Sequence, residues 1–231
     1  MAGEGLDELL DVIALHAGGG EPVTVTSTTR CLFWSWCEAT GSCKADRARA
    51  LQTEFLREIG RAIHRVLERY GRGVPEKRVC HGGLCGHADL VVGDDLVVEV
   101  KTTFLRSASE YLSKHPESLC QLAFYMHALG ARKGLLVAVN RIDLSIKVVA
   151  VLEHDKHSEL ITECVRTILR RAEQLREAIE SGKPPAPEPG VWCNLCPYWR
   201  ECRVALGRSE PFAFVKKYFG LARFIQAGGR V

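Results

Sequence analysis

The sequence predicts an α/β fold, because β-branched extended segments alternate along the chain with long amphipathic helical segments. Two apolar runs, Leu90–Val92 and Leu96–Val100, flank a short Gly-Asp-Asp turn and predict a β-hairpin. Residues 46–70 carry one continuous apolar stripe at helical spacing and predict a long helix. Residues 133–140 and 145–152 predict two further strands, so the chain should build a central sheet flanked by helices.

The register of the hairpin decides which charged residues face each other. A three-residue turn at Gly93-Asp94-Asp95 pairs Val92 with Leu96, and counting back places Asp89 opposite Glu99. Opposed Cβ atoms lie about 4.5–5.5 Å apart, which lets two carboxylates hold one divalent cation. A two-residue turn would break this arrangement.

Three charged residues, Asp89, Glu99 and Lys101, interrupt the otherwise apolar hairpin. Side chains alternate across a strand, so Val97, Glu99 and Lys101 share one face. Facing carboxylates destabilise a sheet unless a cation lies between them, and their oxygens suit magnesium or manganese. Lys101 would then orient a water molecule or stabilise developing negative charge. The alternative is a surface hairpin with solvated charges.

The segments before the hairpin are assigned from periodicity and capping residues. Apolar residues at helical spacing predict a short amphipathic helix over residues 5–16. Residues 23–26 are β-branched and predict an extended segment, and residues 27–29 can cap a helix that runs through Trp36. Residues 79–81 predict a first strand.

The segments after the hairpin are also distinct. Residues 104–114 predict a loop and a short helix, and Pro116 starts a helix that runs through Gly130. Residues 154–181 predict a long helix with paired surface charges. Residues 183–190 contain four prolines and predict a stiff linker.

Ten cysteines indicate metal or cluster ligation if the compartment is reducing. Three of them lie within ten residues: Cys193, Cys196 and Cys202. This spacing favours zinc or an iron–sulfur cluster, and the fourth ligand must come from elsewhere in the chain. Cys31 is the leading candidate, and Cys37 and Cys43 are its rivals.

Two other cysteines, Cys120 and Cys164, fall within predicted helices and are expected to be buried thiols. The chain has only two Asn, four Gln and two Met, a depletion that hints at a thermophilic source. A thermophilic protein could instead keep intracellular disulfides, so that alternative stays open.

The hairpin residues resemble a known nuclease motif. Asp89 followed by Glu99-x-Lys101 on the next strand resembles the core of the PD-(D/E)XK nucleases, although the proline is absent. Gly-His-Ala-Asp at residues 86–89 resembles the Gly-x-x-Asp variant of RecB-type nucleases.

Two helical motifs extend this resemblance. Gly60-x-x-x-His64 before the hairpin resembles the RecB-type motif whose histidine joins the metal site. Gln121-x-x-x-Tyr125 after the hairpin resembles another motif of the same nucleases. A lone histidine, or Gln and Tyr at this spacing, is more often structural, so their order in the chain carries the argument.

One distal cysteine followed by Cys-x-x-Cys-x(5)-Cys resembles the iron–sulfur branch of these nucleases. The motif set spans residues 31–202 and resembles the CRISPR-associated RecB-like iron–sulfur exonuclease family. That resemblance implies a PD-(D/E)XK restriction-endonuclease-like core with a mixed central sheet. It also implies an iron–sulfur cap that joins the N- and C-terminal segments.

The resemblance implies three sets of site residues. The Mg²⁺ or Mn²⁺ ligands would be His64, Asp89, Glu99 and Val100, the last through its carbonyl. The catalytic residues would be Asp89, Glu99, Lys101, Gln121 and Tyr125. The cluster ligands would be Cys31, Cys193, Cys196 and Cys202, with a four-iron cluster favoured, a two-iron cluster next and zinc as the alternative.

The implied activity is a metal-dependent exonuclease on single-stranded DNA, with 5′ to 3′ polarity. The implied role is trimming spacer precursors in CRISPR adaptation, together with CRISPR integrase proteins. Two alternatives stay open: an AddB- or exonuclease-V-like repair nuclease, and a DNA-binding iron–sulfur subunit that does not cleave.

Composition and charge set the remaining expectations. The 231 residues, 46% hydrophobic and 26% charged, are ordinary for a globular protein. The net charge of +3 is too small to argue for nucleic acid, so DNA binding would need local basic clusters. Without a signal peptide or an apolar span in the sequence, the protein is expected to be cytoplasmic.

The chain divides into three expected parts. Residues 1–45 carry the N-terminal helix and the first cluster ligand, and residues 46–182 form the nuclease core. Residues 183–231 hold the linker, the cysteine motif and an aromatic, basic tail. The tail is expected to pack on the body or on a neighbouring subunit, and stacking on single-stranded DNA is the alternative.

Overall fold

The computed structural model describes residues 21–105 and 107–206, without the side chains of residues 68 and 203–206. The predicted helix over residues 5–16 and the aromatic part of the tail lie outside the described residues. Among the described helices, none is both long enough and apolar enough to cross a membrane.

The described elements alternate as the sequence predicts. The helices are α1 (Val25–Thr28), α2 (Leu32–Thr40), α3 (Arg47–Tyr70), α4 (Ala108–Lys114), α5 (Pro116–Leu129), α6 (His154–Ser181) and α7 (Trp199–Leu206), with a 3-10 turn at Val191–Asn194. The strands are β1 (Val74–His81), β2 (Leu84–Val92), β3 (Leu96–Thr103), β4 (Lys133–Asn140) and β5 (Ile146–Glu153).

The five strands form one mixed sheet in the order β1-β2-β3-β4-β5. All neighbours are antiparallel except β3 and β4, which run parallel. A parallel pair needs a crossover connection, and α4 and α5 provide it. The expected mixed sheet flanked by helices is therefore confirmed.

Helices α3 and α5 cover opposite faces of the sheet. Lys101 in β3 donates to Gln121 in α5, whereas a Cβ on Gly60 in α3 would lie 3.8 Å from the hydroxyl of the next residue, Thr102. Successive side chains of a strand point to opposite faces. Helix α5 is almost entirely buried between the sheet and α6, which explains why its sequence lacks a strong polar face.

The register predicted for the hairpin is confirmed. Val92 pairs with Leu96, and two further pairs follow, ending at Leu90 with Val98. Gly93 adopts a left-handed backbone with φ of 58°, which glycine accepts without steric cost. Beyond this ladder, β2 pairs only with β1 and β3 only with β4, so the two strands part where Asp89 and Glu99 would face each other.

The extended segment predicted for residues 23–26 is wrong, because a helical turn, α1, starts at Val25. Thr24 and Ser27 form a reciprocal capping box: the amide of Ser27 donates to the Thr24 hydroxyl at 3.2 Å and the amide of Thr24 donates to the Ser27 hydroxyl at 2.8 Å. These two bonds outweigh the β preference of the branched side chains.

The expectation that Cys120 and Cys164 are free thiols is also wrong. They form a disulfide between α5 and α6, whose close packing brings their Cα atoms to 4.8 Å. Two more disulfides join Cys37 to Cys43 and Cys80 to Cys85. The rivals of Cys31 for the fourth ligand position are thus bonded to each other.

A buried ion pair holds the N-terminal segment and the linker onto α6. Arg171 donates to the carbonyls of Thr28 and Arg30 at 2.6 Å each, and to both carboxylate oxygens of Glu188 at 2.6 and 2.7 Å. One of those oxygens also accepts the amide of Leu32 at 2.9 Å. These bonds connect α6 to the N-terminal segment and to the linker.

We expect Arg171→Met to lower the free energy of unfolding by about 3–5 kcal/mol, because it leaves the Glu188 carboxylate, only 9% exposed, without its charge partner. Urea denaturation measures the change. The control is Arg166→Met on the same helix, whose exposed pair with Glu163 should contribute less than about 1 kcal/mol. Equal losses in both variants would contradict this assignment.

Candidate functional site

Where the two strands of the hairpin separate, a side-chain carboxylate accepts a hydrogen bond from a backbone amide. The amide of Val100 in β3 donates to Asp89 Oδ2 in β2 at 2.6 Å. The other oxygen of Asp89 lies 3.4 Å from His64 Nδ1 on α3. Asp89 therefore connects the hairpin to the long helix through its two oxygens.

His64, Asp89 and a third residue, Glu76, form a compact group of potential ligands. Glu76 Oε1 in β1 lies 3.7 Å from His64 Nδ1, and one ligand atom from each residue falls within 4.8 Å of the other two. The neighbouring carboxylates of Asp89 and Glu76 raise the pKa of His64 to about 10. Two carboxylates thus share one positive charge at this point.

Glu99 and Lys101 form the neighbouring half of the site. Glu99 is fully buried, and Lys101 Nζ donates to its Oε1 at 2.5 Å. Burial and the nearby Asp89 carboxylate raise the pKa of Glu99. Burial favours neutral Lys101, but the charges of Glu99 and Asp89 outweigh it and raise the pKa of Lys101.

Helix α5 continues this arrangement into the core. Lys101 Nζ also donates to Gln121 Oε1 at 2.9 Å, and Gln121 Nε2 donates to the hydroxyl of Tyr125 at 3.3 Å. Burial raises the pKa of Tyr125, so this residue keeps its proton. A chain of hydrogen bonds therefore runs from Glu99 through Lys101 and Gln121 to Tyr125.

The structure thus brings the predicted residues together in two adjoining groups. His64 and Asp89 contact each other, and Glu99, Lys101, Gln121 and Tyr125 form a connected chain. Val100 joins the two groups through its amide. The shared cation and the Val100 carbonyl contact stay predictions, and Glu99 lies outside the compact ligand group.

Glu76 was missed by the sequence analysis, although a signal for it exists. Gly82-Gly83 is a two-residue hairpin turn, and both glycines have positive φ. Counting outward from the pair His81 and Leu84 places Glu76 opposite Asp89. The predicted first strand started only at Val79, five residues after the observed start of β1, so this count was not made.

The glycine of the Gly-His-Ala-Asp motif has a packing role. A Cβ at Gly86 would lie 2.6 Å from the Tyr125 hydroxyl and 2.9 Å from Val25 Cβ. Only glycine lets α5 bring Tyr125 this close to β2. The motif therefore couples the position of Asp89 to the position of the Gln121–Tyr125 pair.

The four predicted cluster ligands are the free cysteines of the described chain: Cys31, Cys193, Cys196 and Cys202. The amide of Glu188 donates to Cys31 Sγ at 3.3 Å, and the amide of Gly190 donates to Cys193 Sγ at 3.2 Å. Such N–H···S bonds stabilise sulfur that carries negative charge.

Burial opposes the ionisation of two of these thiols, Cys31 and Cys196. Burial and the Glu188 carboxylate raise the pKa of Cys31 to about 11. Burial, together with the negative charge of Cys31, Cys193 and Cys202 as thiolates, raises the pKa of Cys196 to about 12. Cys31 and Cys196 therefore favour their neutral forms until positive charge is placed among the sulfurs.

The cysteine loop is fixed onto the start of α3. Arg49 donates to the carbonyl of Cys193 at 3.0 Å, and Thr53 donates to the carbonyl of Leu195 at 2.8 Å. The same helix carries His64 about three turns further on. One rigid element thus links the cysteine group to the carboxylate site.

A mixed five-stranded sheet with an Asp on one strand and Glu-x-Lys on the next is the arrangement of a nuclease core. The model of the PD-(D/E)XK nuclease superfamily matches residues 81–203, more than half of the chain. The chain belongs to this superfamily.

Two solved structures are similar to the chain. The crystal structure of SSO0001 has a TM-score of 0.53 at 20% identity, and the match covers 89% of this chain and 98% of that one. An alkaline exonuclease from Laribacter hongkongensis has a TM-score of 0.41 at 19% identity, with 69% and 92% covered. The first likeness shows the fold. A search among curated proteins found no match.

We expect Gly86→Ala to cost about 1–3 kcal/mol of stability, because its Cβ overlaps the Tyr125 hydroxyl. The cost should fall in a Tyr125→Phe background, which a double-mutant cycle by thermal unfolding measures. The control is Gly60→Ala in α3, where the Cβ meets nothing closer than 3.8 Å and should not destabilise the helix. An unchanged cost with phenylalanine would contradict the proposed overlap.

Proposed function

We propose that the protein is a Mg²⁺- or Mn²⁺-dependent DNA exonuclease that acts on single-stranded DNA or single-stranded ends. The observation that carries the proposal is the buried carboxylate of Glu99, held by Lys101 next to the Asp89–His64 pair. Its Oε2 is the buried side-chain oxygen that has no hydrogen-bond partner within the described residues. A buried carboxyl oxygen without a partner is costly, and a divalent cation would satisfy it.

The donor set fits a hard divalent cation. Asp89, Glu99 and the Val100 carbonyl offer oxygen, and His64 adds one nitrogen. A bound cation would lower the pKa of a water molecule and stabilise charge on the phosphate. Asp89 and Glu99 would hold it in place, and the amide of Val100 fixes the orientation of Asp89.

Lys101 is proposed to orient the attacking water or to stabilise negative charge that develops on the phosphate. Glu99 and Gln121 fix its ammonium group from two sides. Such a pre-oriented group stabilises charge without reorganising during the reaction. Gln121 and Tyr125 are proposed to position Lys101 from the buried face of α5.

Basic residues near His64 support a nucleic-acid substrate. Arg57, Arg61, Arg65 and Arg69 recur every four residues along the exposed face of α3. Arg57 and Arg61 form ion pairs with glutamates, which reduces the net positive charge at the Arg57 end of the row. A row of guanidinium groups spaced along a helix suits phosphate oxygens of a backbone.

An exposed aromatic ring supports the preference for single strands. Phe104 follows Lys101 by three residues and is 55% exposed, with the Arg141 guanidinium 5.2 Å from its centroid. Arg141 is itself held by the Thr102 hydroxyl at 2.8 Å. An aromatic face beside a fixed guanidinium can stack unpaired bases.

The four free cysteines are proposed to hold an iron–sulfur cluster with a structural role. The amides of Glu188 and Gly190 already donate to Cys31 Sγ and Cys193 Sγ, as is common for sulfur ligands of metal centres. Zinc is the alternative to the cluster.

The biological placement rests on the family resemblance of the motif set. We propose that the nuclease trims spacer precursors with 5′ to 3′ polarity in CRISPR adaptation, in contact with CRISPR integrase proteins. Binding to purified integrase proteins tests this placement. Failure to bind them would favour the AddB- or exonuclease-V-like repair role.

We expect Asp89→Ala, Glu99→Ala and Lys101→Ala each to reduce cleavage of end-labelled single-stranded DNA by about 100-fold or more, because each removes a ligand or a fixed charge. Cleavage should require Mg²⁺ or Mn²⁺ and should spare circular DNA. The control is Lys114→Ala, whose exposed ammonium pairs with Glu110 on α4. DNA that is bound but never cut would favour the non-cleaving alternative.

We expect anaerobically purified protein to contain iron and sulfide, and Cys193→Ala to lose both and to lower the melting temperature. Metal analysis, absorption and electron spin resonance provide the readouts. The matched control is the Cys80→Ala/Cys85→Ala double variant, which removes one disulfide but no proposed ligand. Bound zinc would replace the cluster proposal, and unchanged stability and cleavage in Cys193→Ala would contradict the structural role.

A further inference from the structure

Strand β1 places a third carboxylate at the site, at a position where its backbone is unusual. Glu76 has a φ of 45°, a left-handed conformation that non-glycine residues rarely adopt. The ladder between β1 and β2 runs from Val74 to His81, and Glu76 is the residue that lacks its pair. The missing partner in this register is Asp89.

At this break in the ladder, the Glu76 side chain lies beside His64. Glu76 Oε1 is 3.7 Å from His64 Nδ1, and Asp89 Oδ1 is 3.4 Å from the same nitrogen. The three side chains offer ligand atoms within 4.8 Å of one another. A regular strand at this position would instead add another pair to the ladder.

A second observation is a buried carboxyl oxygen without a hydrogen-bond partner beside this group. Glu99, the next carboxylate, is fully buried and its Oε2 has no hydrogen-bond partner in the described residues. Glu99 is connected to Asp89 through the next residue, because the Val100 amide donates to Asp89 Oδ2 at 2.6 Å. The residue that carries the unpartnered oxygen therefore adjoins the group of His64, Glu76 and Asp89.

We propose that Glu76 is a further ligand of the divalent cation, supplied by β1 opposite Asp89. This inference rests on the proposed metal-dependent function and extends its ligand set from one hairpin to two. Glu76 lies at the break in the β1–β2 ladder, and its Oε1 is 3.7 Å from His64 Nδ1. The cation would then hold three strands and α3 at a single point.

The first experiment measures Mn²⁺ binding without DNA, so the result does not depend on cleavage. Electron spin resonance of free Mn²⁺ gives the dissociation constant for the wild type, Glu76→Gln and Glu58→Gln. We expect Glu76→Gln to weaken binding about 10- to 100-fold. Glu58→Gln removes the same charge from an exposed site on α3 and should change the constant less than twofold.

Thermal unfolding separates a ligand role from a merely structural one. In EDTA, Glu76→Gln should melt within a few degrees of the wild type, because the Glu76 side chain is 48% exposed. Added Mn²⁺ should raise the melting temperature of the wild type but raise that of Glu76→Gln much less. Glu76→Asp, with the same charge on a shorter side chain, should restore part of the Mn²⁺ effect.

The outcomes distinguish this inference from the proposed function. If Asp89→Asn loses Mn²⁺ binding and cleavage while Glu76→Gln retains wild-type affinity, Glu76 is no ligand and the nuclease proposal stands. If the wild type neither binds Mn²⁺ nor cleaves DNA, both proposals fail together. An equal loss of affinity in Glu76→Gln and Glu58→Gln would reduce the role of Glu76 to general charge and overturn the inference.

Discussion

The hydrogen bond from the Val100 amide to Asp89 is the interaction on which the candidate site depends. Where two antiparallel strands part, backbone amides lose their partners, and a buried amide without one is costly. Asp89 accepts this amide with one oxygen at 2.6 Å and turns the other toward His64. The same carboxylate thus lies where the β2–β3 ladder ends and contacts α3 through His64.

The hydrogen-bonded series from Glu99 through Lys101 and Gln121 to Tyr125 places polar groups against the hydrophobic core, and three of the four residues are buried. These polar groups are tolerated beside α5 because each residue is hydrogen-bonded to the next one in this series. The exception is one Glu99 oxygen, which has no partner among the described residues. In such a low-dielectric region a satisfied network is rigid, whereas a single missing partner is costly. Among the described residues, the one buried side-chain oxygen without a hydrogen-bond partner, Glu99 Oε2, therefore lies at the proposed catalytic site.

Sequence reasoning succeeded where local chemistry decides the structure and failed where distant segments do. The Gly-Asp-Asp turn and strict alternation were enough to fix the β2–β3 register, and strand β4 was placed at its observed bounds. The Cys120–Cys164 disulfide depends on how α5 packs on α6, which no local pattern reveals. Arg171 lies in a helix of many charges, and its burial follows from two segments that join it from far along the chain.

The connection between Arg171 and Glu188 has a consequence for the order in which the protein matures during translation. The ribosome releases His64 through Tyr125 well before Glu188 and the last three cysteines emerge. The residues of the candidate site can therefore meet on the nascent chain first, while Cys193, Cys196 and Cys202 are made more than 150 residues after Cys31. If the four free cysteines bind an inorganic cofactor, as proposed, they can do so together only after Cys202 has been synthesised.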